Sequence, residues 1–366
     1  MPVPLDEFPL HQVPLSLEHV ASTDRNAYDR SYFNAHDRTG ELFLITGFGV
    51  YPNLGVKDAF ALVRRGDQQS AVHFSDRIDD DRLNQRVGAY RIEVIEPLRR
   101  LRLICDDASL GLTFDLTWEG SFDPIDEQHH TMRRDRKAIL DACRFAQIGT
   151  WEGSLAIDGH DYTVDRPTWV GTRDRSWGIR PVGEAEPPGK PADEELGLHW
   201  LYVPLRFDDF AIVVILQEGP DGFRTLNDAS RIWADGRIEQ LGWPRADITY
   251  RSGTRHPEHA VIHLTTPDGK PLTLEVDTLL SAPIHVGGGY GGDPDWTHGQ
   301  WKGAGFSERV TYDLTDPEVA GRIPFGVVDH VARATCDGVE GWGLFEHGSI
   351  GRHDPSGFAD LGSVAP

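Results

Sequence analysis

The sequence predicts an all-β protein built from antiparallel strands. Most of the chain alternates apolar and polar residues, which places successive side chains on opposite faces of a strand. Residues 112–119 show this alternation most clearly, and turn signals rich in Pro, Asp and Gly separate such segments. Further strands are predicted at 41–46, 58–64, 90–95, 101–105, 151–157, 198–207, 210–217, 223–233, 260–266 and 272–280.

One segment near the middle of the chain predicts a helix. Residues 133–146 carry apolar side chains spaced for a single buried stripe, and Gly149 follows as a stop signal. The stripe consists of Ile139, Leu140, Cys143 and Ala146. We therefore expect one short helix that connects two β-domains.

The length of 366 residues predicts two domains of ordinary size. Similar β-units begin near residues 59 and 211, and each runs from an apolar strand through a turn into a second strand. We expect an N-terminal domain at 1–145, which ends in the helix, and a C-terminal domain at 146–366. Meandering units of this size avoid exposed edges by curling into barrels or bent sandwiches, and a barrel of about eight strands can hold one small ligand.

The composition excludes several partners. A formal net charge of −22 repels phosphate backbones and anionic membrane surfaces, so we expect no nucleic-acid partner. No stretch approaches the roughly 20 apolar residues of a transmembrane helix, and the N-terminus lacks a signal-peptide pattern. We expect a soluble, cytoplasmic protein. Three distant cysteines argue against disulfides and are expected to be small buried hydrophobes: Cys105, Cys143 and Cys336.

No motif indicates a metal or a cofactor. The histidines of 129–130 and 256–259 lack an obvious third ligand. The glycine-rich stretch 287–292 is not followed by the helix that a phosphate site needs. Residues 287–306, which include Tyr290 and Trp296, are expected to form either a wide rim turn or a lid over a hydrophobic ligand.

Two strands carry candidate catalytic residues. His199 lies on the same face of its strand as Leu201 and Val203, so it points into apolar surroundings. It is expected to be either a core residue or a base with a shifted pKa. Asp228 is a candidate acid if its face of the strand is interior. If Asn227 faces inward instead, Asp228 is a surface charge.

The run 171–180 is unusually dense in charge, with four charged residues and a Trp between glycines. An Arg/Asp lattice that clamps a strand end explains this density, and so does a functional site. Because the run precedes the strand that carries His199, we expect Arg173, Asp174 and Arg180 to support the site and Trp177 to contact the ligand.

The order of motifs between residues 140 and 205 adds a family resemblance. The motifs are Arg144-Phe145-Ala146-Gln147, Trp151-Glu152-Gly153, Gly171-x-Arg173-Asp174-Arg175-Ser176-Trp177-Gly178-x-Arg180 and Leu198-His199-Trp200. This order resembles the tandem lipocalin-like (calycin) superfamily of carotenoid 1,2-hydratase (hydroxyneurosporene synthase), AttH-type proteins and lipocalin-fold polyketide cyclases. The resemblance implies two packed calycin-like domains, an apolar pocket for isoprenoid or polyketide substrates, and neither metal nor organic cofactor.

The hydratase branch of this superfamily implies roles for individual residues. An interior Asp protonates the alkene with a His nearby, and Asp228 and His199 match these positions. Leu226 stands where an aromatic residue should accompany the Asp, which argues against carotenoid hydration itself.

These implications lead to one expected function and one alternative. We expect a cofactor-independent hydratase, lyase or cyclase for a hydrophobic unsaturated molecule; a non-catalytic carrier of lipophilic molecules is the alternative. A homodimer is also considered. The expected substrate-binding residues are Trp177, Trp200, Tyr202, Tyr290 and Trp296.

Overall fold

The computed structural model describes residues 3–8, 19–134, 137–186 and 197–366, and these residues form an all-β fold of two antiparallel sheets. The strands in the first half of the chain are β1 (Ala27–His36), β2 (Leu42–Tyr51), β3 (Val56–Arg65), β4 (Gln68–Arg77), β5 (Arg86–Val87), β6 (Tyr90–Glu96), β7 (Arg100–Cys105), β8 (Leu112–Gly120), β9 (Ile125–Asp126), β10 (His130–Arg134), β11 (Lys137–Ile157), β12 (His160–Val164) and β13 (Val170–Ile179).

The strands in the second half are β14 (Gly197–Arg206), β15 (Phe210–Glu218), β16 (Arg224–Trp233), β17 (Ile238–Gln240), β18 (Gly242–Tyr250), β19 (Pro257–Thr265), β20 (Pro271–Pro283), β21 (Phe306–Asp313), β22 (Val328–Cys336) and β23 (Val339–Gly351). A single α-helical turn, α1, spans Pro317–Ala320 in the described residues. Short 3₁₀ turns lie at Pro4–Glu7, Pro52–Leu54, Ala108–Leu110, Ile323–Phe325 and Asp354–Ser356.

The first sheet contains β1–β13 and gains β21 beside β4, in the order β21-β4-β3-β2-β1-β13-β11-β8-β7-β6-β5 with β9, β10 and β12 paired to β11. The second sheet has the order β17-β16-β15-β14-β23-β22-β20-β19-β18, and β18 packs back against β16, so this sheet nearly closes into a barrel. The first sheet curves as a half-barrel. The predicted all-β fold with two curved antiparallel units is confirmed, and every predicted strand falls on an observed one.

The predicted helix at 133–146 is wrong. Its described residues belong to β10 and to β11, a strand of 21 residues that pairs with β13 along one edge and with β8, β9 and β10 along the other. Hydrogen bonding on both edges overrides an apolar spacing that also suits a helix. Cys143 is consequently exposed on this strand, whereas Cys105 and Cys336 are buried as expected.

Three apolar layers stabilise the fold. Trp118 and Trp151 lie in the layer on the concave side of the first sheet, and Leu205 and Val276 lie in the layer inside the second. A third layer lies between the sheets and includes Trp200. Burial of apolar area in this third layer holds the two sheets together.

The proposed division between residues 145 and 146 falls within β11 and stays a prediction. The change from the first sheet to the second occurs between residues 179 and 197, and β21 then returns to the first sheet. None of the helices in the described residues is long and apolar enough to cross a membrane.

Candidate active site between the two sheets

A cavity of about 240 Å³ lies between the two sheets. Strands β1, β11 and β13 of the first sheet face β14, β15 and β23 of the second across it. The lining residues are Tyr28, Arg30, Tyr32, Glu127, Gln128, His130, Met132, Leu140, Ala142, Arg144, Asp174, Ser176, Arg180, Leu198, Trp200, Ile215, Gln217, Ile284, Tyr290, Gly291, Val327 and Glu346. Charged side chains share this wall with aromatic and aliphatic ones, so the cavity differs from the purely apolar pocket that the family resemblance implies.

Strand alternation delivers these groups to the cavity. On β13, Asp174 and Ser176 face the cavity, whereas Arg173 and Arg175 point to the opposite face and bind Glu7. The same alternation on β11 brings Arg144 to the cavity wall.

One carboxyl group of the cavity wall, Glu346, is paired with a second, completely buried one, Asp329. Asp329 on β22 lies directly opposite Glu346 on β23. Tyr32 Oη donates a hydrogen bond to Asp329 Oδ2 (2.5 Å), and Trp200 Nε1 donates to Glu346 Oε1 (2.5 Å). Burial, and then the charge of Glu346, raise the pKa of Asp329 well above its usual value. Burial also raises the pKa of Glu346.

The carboxyl pair therefore holds a proton at neutral pH. Two adjacent buried carboxylates cannot both ionise without a large electrostatic cost. Among the described residues, Asp329 Oδ1 has no hydrogen-bond donor, so no donor there stabilises a negative charge on this oxygen. Asp329 is completely buried, whereas Glu346 lines the cavity, so Glu346 is the member that a ligand can reach.

A second ionic group surrounds Arg144. Its Nε donates to Glu127 Oε2 (2.5 Å), and its guanidinium also lowers the pKa of Asp174 against the larger effect of burial, which raises it. Burial raises the pKa of Glu127 to about 7 in spite of Arg144. The cavity wall thus combines the guanidinium groups of Arg30, Arg144 and Arg180 with buried acids whose pKa values are raised.

Aromatic rings flank this ionic group. The Arg144 guanidinium lies 4.5 Å from the Tyr202 ring centroid and 5.6 Å from that of Trp200. His130 stacks on Trp200 at 5.9 Å, and burial lowers its pKa to about 3, so this imidazole is neutral. Arg30 lies 4.6 Å from the Tyr290 centroid.

Four residues singled out in the sequence line the cavity: Trp200, Tyr290, Asp174 and Arg180. Tyr290 enters from the glycine-rich loop, where backbone NH groups of Gly287 and Gly289 donate to the Asp293 carboxylate and hold the loop in place.

Four other predicted residues lie outside the cavity lining. Tyr202 packs behind it against Arg144. Trp296 is buried and stacks on His73 at 4.7 Å. Arg173 pairs with Glu7 at 2.5 Å, and Trp177 is four positions further along the same strand.

The two predicted catalytic residues are not brought together. His199 faces the interior of the second sheet, with Leu201 and Val203. Asp228 shares a face of β16 with Leu226 and Ile232, and this face is directed at the layer between the sheets. It therefore lies on the opposite face of the second sheet from His199. Neither residue lines the cavity, and Asp228 is half-buried and accepts a hydrogen bond from Gln240. Their catalytic roles stay predictions.

The carboxyl pair was not predicted as a pair. Neither Glu346 nor Asp329 is among the site residues predicted from the sequence. The available signal was a single carboxylate inside an apolar strand, as in Val327-Val328-Asp329-His330-Val331. A charge at such a position needs a partner or a shifted pKa.

The fold and the cavity define a lipocalin-like class: two curved antiparallel sheets that enclose a site lined by acids, arginines and aromatic rings. Within this class the chain belongs to the family of unknown function DUF8625, whose model matches residues 3–359. No curated protein matches the sequence.

Two solved structures share the architecture. One is a protein assigned as AttH from Nitrosomonas europaea, with a TM-score of 0.52, 14% identity, and coverage of 88% of this chain and 92% of that chain. The other is kievitone hydratase from Nectria haematococca, with a TM-score of 0.50, 13% identity, and coverage of 92% and 93%. The superfamily resemblance is confirmed at the level of the fold.

Proposed function

We propose that this protein is an acid–base enzyme for mainly hydrophobic small molecules that adds water across a carbon–carbon double bond, or removes water from an alcohol to form one. The observation that carries the proposal is the Asp329–Glu346 carboxyl pair, of which Glu346 lines the cavity. A protonated carboxyl group beside aromatic rings is the group that alkene protonation requires. Kievitone hydratase shares the fold, which supports the reaction class only through a common scaffold.

In the proposed step, the proton that the carboxyl pair shares passes through Glu346 to one alkene carbon, and the faces of Trp200 and Tyr290 stabilise the positive charge on the neighbouring carbon. Water adds to that carbon and returns a proton to the pair through Glu346, which restores the acid. Tyr32 and Asp329 act behind Glu346 as positioning residues. The step uses only side chains of this chain and no cofactor.

The arginines of the wall suggest which substrates fit. Arg144 and Arg180 offer guanidinium groups to an electron-rich oxygen of the substrate, such as an enol or phenol. Polyketide-like ring systems carry such oxygens and are favoured over plain isoprenoid hydrocarbons. A cytoplasmic location and a homodimer stay predictions.

The test compares Glu346→Gln with Asp228→Asn. Each protein is incubated with extracts of lipophilic metabolites in water enriched in heavy oxygen, and products that gain labelled water are detected by mass spectrometry. We expect labelled product from the unmodified chain and from Asp228→Asn, and a loss of at least about 100-fold with Glu346→Gln, because a general acid contributes about 10²–10⁴ in rate.

A different pattern would overturn the assignment. Loss of turnover in Asp228→Asn with Glu346→Gln active would return the acid to β16. If a lipophilic compound co-purifies and leaves the unmodified protein chemically unchanged, and no labelled product forms with any extract, the protein is a carrier.

A further inference from the structure

Three side chains capable of binding a metal converge at one end of the second sheet, away from the cavity. His199 on β14 lies directly opposite Glu218 on β15, and His353 follows β23. One ligand atom from each residue lies within 4.8 Å of the other two, and all three residues are buried. We propose that His199, Glu218 and His353 bind a divalent transition-metal ion, with Zn²⁺ as the best fit.

The set of donor atoms matches zinc. Two imidazole nitrogens and one carboxylate oxygen, completed by water, form a common four-coordinate zinc environment. Calcium and magnesium prefer all-oxygen ligands and are disfavoured at this site. His347 packs edge-on to His199 with ring centroids 5.2 Å apart, so a further imidazole lies beside the three proposed ligands.

Unused bonding capacity points to a missing ligand. His199 Nδ1 is buried and makes no hydrogen bond to any of the described residues. A buried imidazole nitrogen without a partner is costly unless a ligand takes up its lone pair. Rotation of the His199 side chain would therefore break no hydrogen bond at this atom.

The three ligand atoms would have to move to distances that suit zinc. Zinc needs ligand atoms about 3.3 Å apart, given bond lengths of about 2.0–2.1 Å in a tetrahedron. His353 Nε2 and Glu218 Oε2 are already 3.0 Å apart. His199 stacks on His353 with centroids 4.1 Å apart, so metal binding requires the His199 ring to turn out of this stack.

Neighbouring groups orient the ligands. Arg224 Nε donates to Glu218 Oε1 (2.8 Å), which leaves Oε2 directed at His353. His353 Nδ1 lies 2.8 Å from Ser356 Oγ, and a hydroxyl can accept as well as donate. His353 can therefore shift its proton to Nδ1 and present the Nε2 lone pair to a metal. Such outer contacts are typical of metal-binding histidines.

The experiment uses the full chain without a histidine tag, stripped with a chelator and titrated with Zn²⁺. Metal content is measured by mass spectrometry after desalting. We expect one zinc per chain, and an affinity loss of more than about 100-fold in His199→Asn, Glu218→Gln and His353→Asn, beyond the range for removing an outer contact. His259→Asn is the matched control, because His259 lies outside the cluster and pairs with Asp277 at 2.8 Å.

Two further results are decisive. The unmodified chain loaded with Co²⁺ should show the intense visible absorption of a tetrahedral site. This measurement does not depend on whether any variant folds. Zinc should also raise the melting temperature of the unmodified chain, since it binds only the folded state. No stoichiometric binding, a weak six-coordinate cobalt spectrum, or equal affinity in all variants would overturn the proposal.

Discussion

Burial sets the protonation state of individual side chains in this protein, and it acts in opposite directions on acids and bases. Burial raises the pKa of the carboxyl groups at the cavity, so they stay protonated up to higher pH. It lowers the pKa of buried histidines, so they stay neutral down to lower pH. His36 shows the second effect away from either proposed site. It is completely buried against Phe43, and burial lowers its pKa to about 4.

His36 should make the protein less stable in acid. Because its pKa is about 4 in the folded chain and about 6.5 when unfolded, the unfolded state binds more protons between these values. Its contribution is present above pH 6.5 and is lost as the pH falls toward 4. Between pH 8 and pH 5, the free energy of unfolding should fall by about 2 kcal/mol less in His36→Phe than in the unmodified chain. Urea unfolding at both pH values measures this difference.

The unmodified chain, measured at the same pH values, provides the comparison. Identical slopes for His36→Phe and the unmodified chain would show that His36 is protonated with little penalty.

The site could be predicted only in part from single residues. Alternation on one strand correctly separated His199 from Trp200, and Trp200, Tyr290 and Asp174 do line the cavity. The pairing of Asp329 with Glu346 could not be inferred, because neither β22 nor β23 was predicted as a strand and their register is a long-range property.

Close contacts between strands explain several glycines of the first sheet. Gly149 on β11 lies opposite Gly171 on β13. A Cβ at Gly149 would come within 2.3 Å of Glu119 O, so this residue permits close strand pairing and does not end a helix. The sequence indicated that Gly149 has a structural role, but that role could not be identified without knowing the neighbouring strand.

Gly171→Ala should be strongly destabilising. The new Cβ would lie 1.9 Å from Asn34 O, which also accepts the Trp151 Nε1 hydrogen bond (2.8 Å). Backbone atoms of β1 would have to move, so we expect a loss of about 3 kcal/mol in unfolding free energy. Thermal and urea unfolding measure it.

Gly219→Ala is the control for this substitution. Its Cβ would meet no atom closer than 3.7 Å, and its backbone is not in the left-handed region. A change below about 0.5 kcal/mol is expected there. Equal losses at Gly171 and Gly219 would mean that lost chain flexibility, rather than contact between strands, governs both.

The two sheets depend on each other through the layer between them. Phe43, Ile45, Phe60 and Leu62 of the first sheet are buried in this layer. The all-β class and the curved units were predictable because alternation is local. The pairing of β21 with β4 was not predictable, because it joins residues more than 200 positions apart.

A fragment of residues 1–186 should therefore fail to fold cooperatively. It lacks β21, and it exposes the apolar face that the second sheet covers. We expect poorly dispersed NMR spectra and binding of a hydrophobic dye, as in loosely packed states. Co-expression with residues 187–366 should restore a sharp unfolding transition. A fragment that unfolds as sharply as the full chain would establish an independent N-terminal domain.

The late return of β21 also sets a timetable for synthesis. At roughly 5–20 residues per second, the ribosome needs on the order of ten seconds or more between Arg77, where β4 ends, and Phe306, where β21 begins. During this interval one edge of β4 has no strand to pair with. The nascent chain thus carries an open strand edge while most of the protein is being made, a period in which chaperones have the greatest opportunity to protect it.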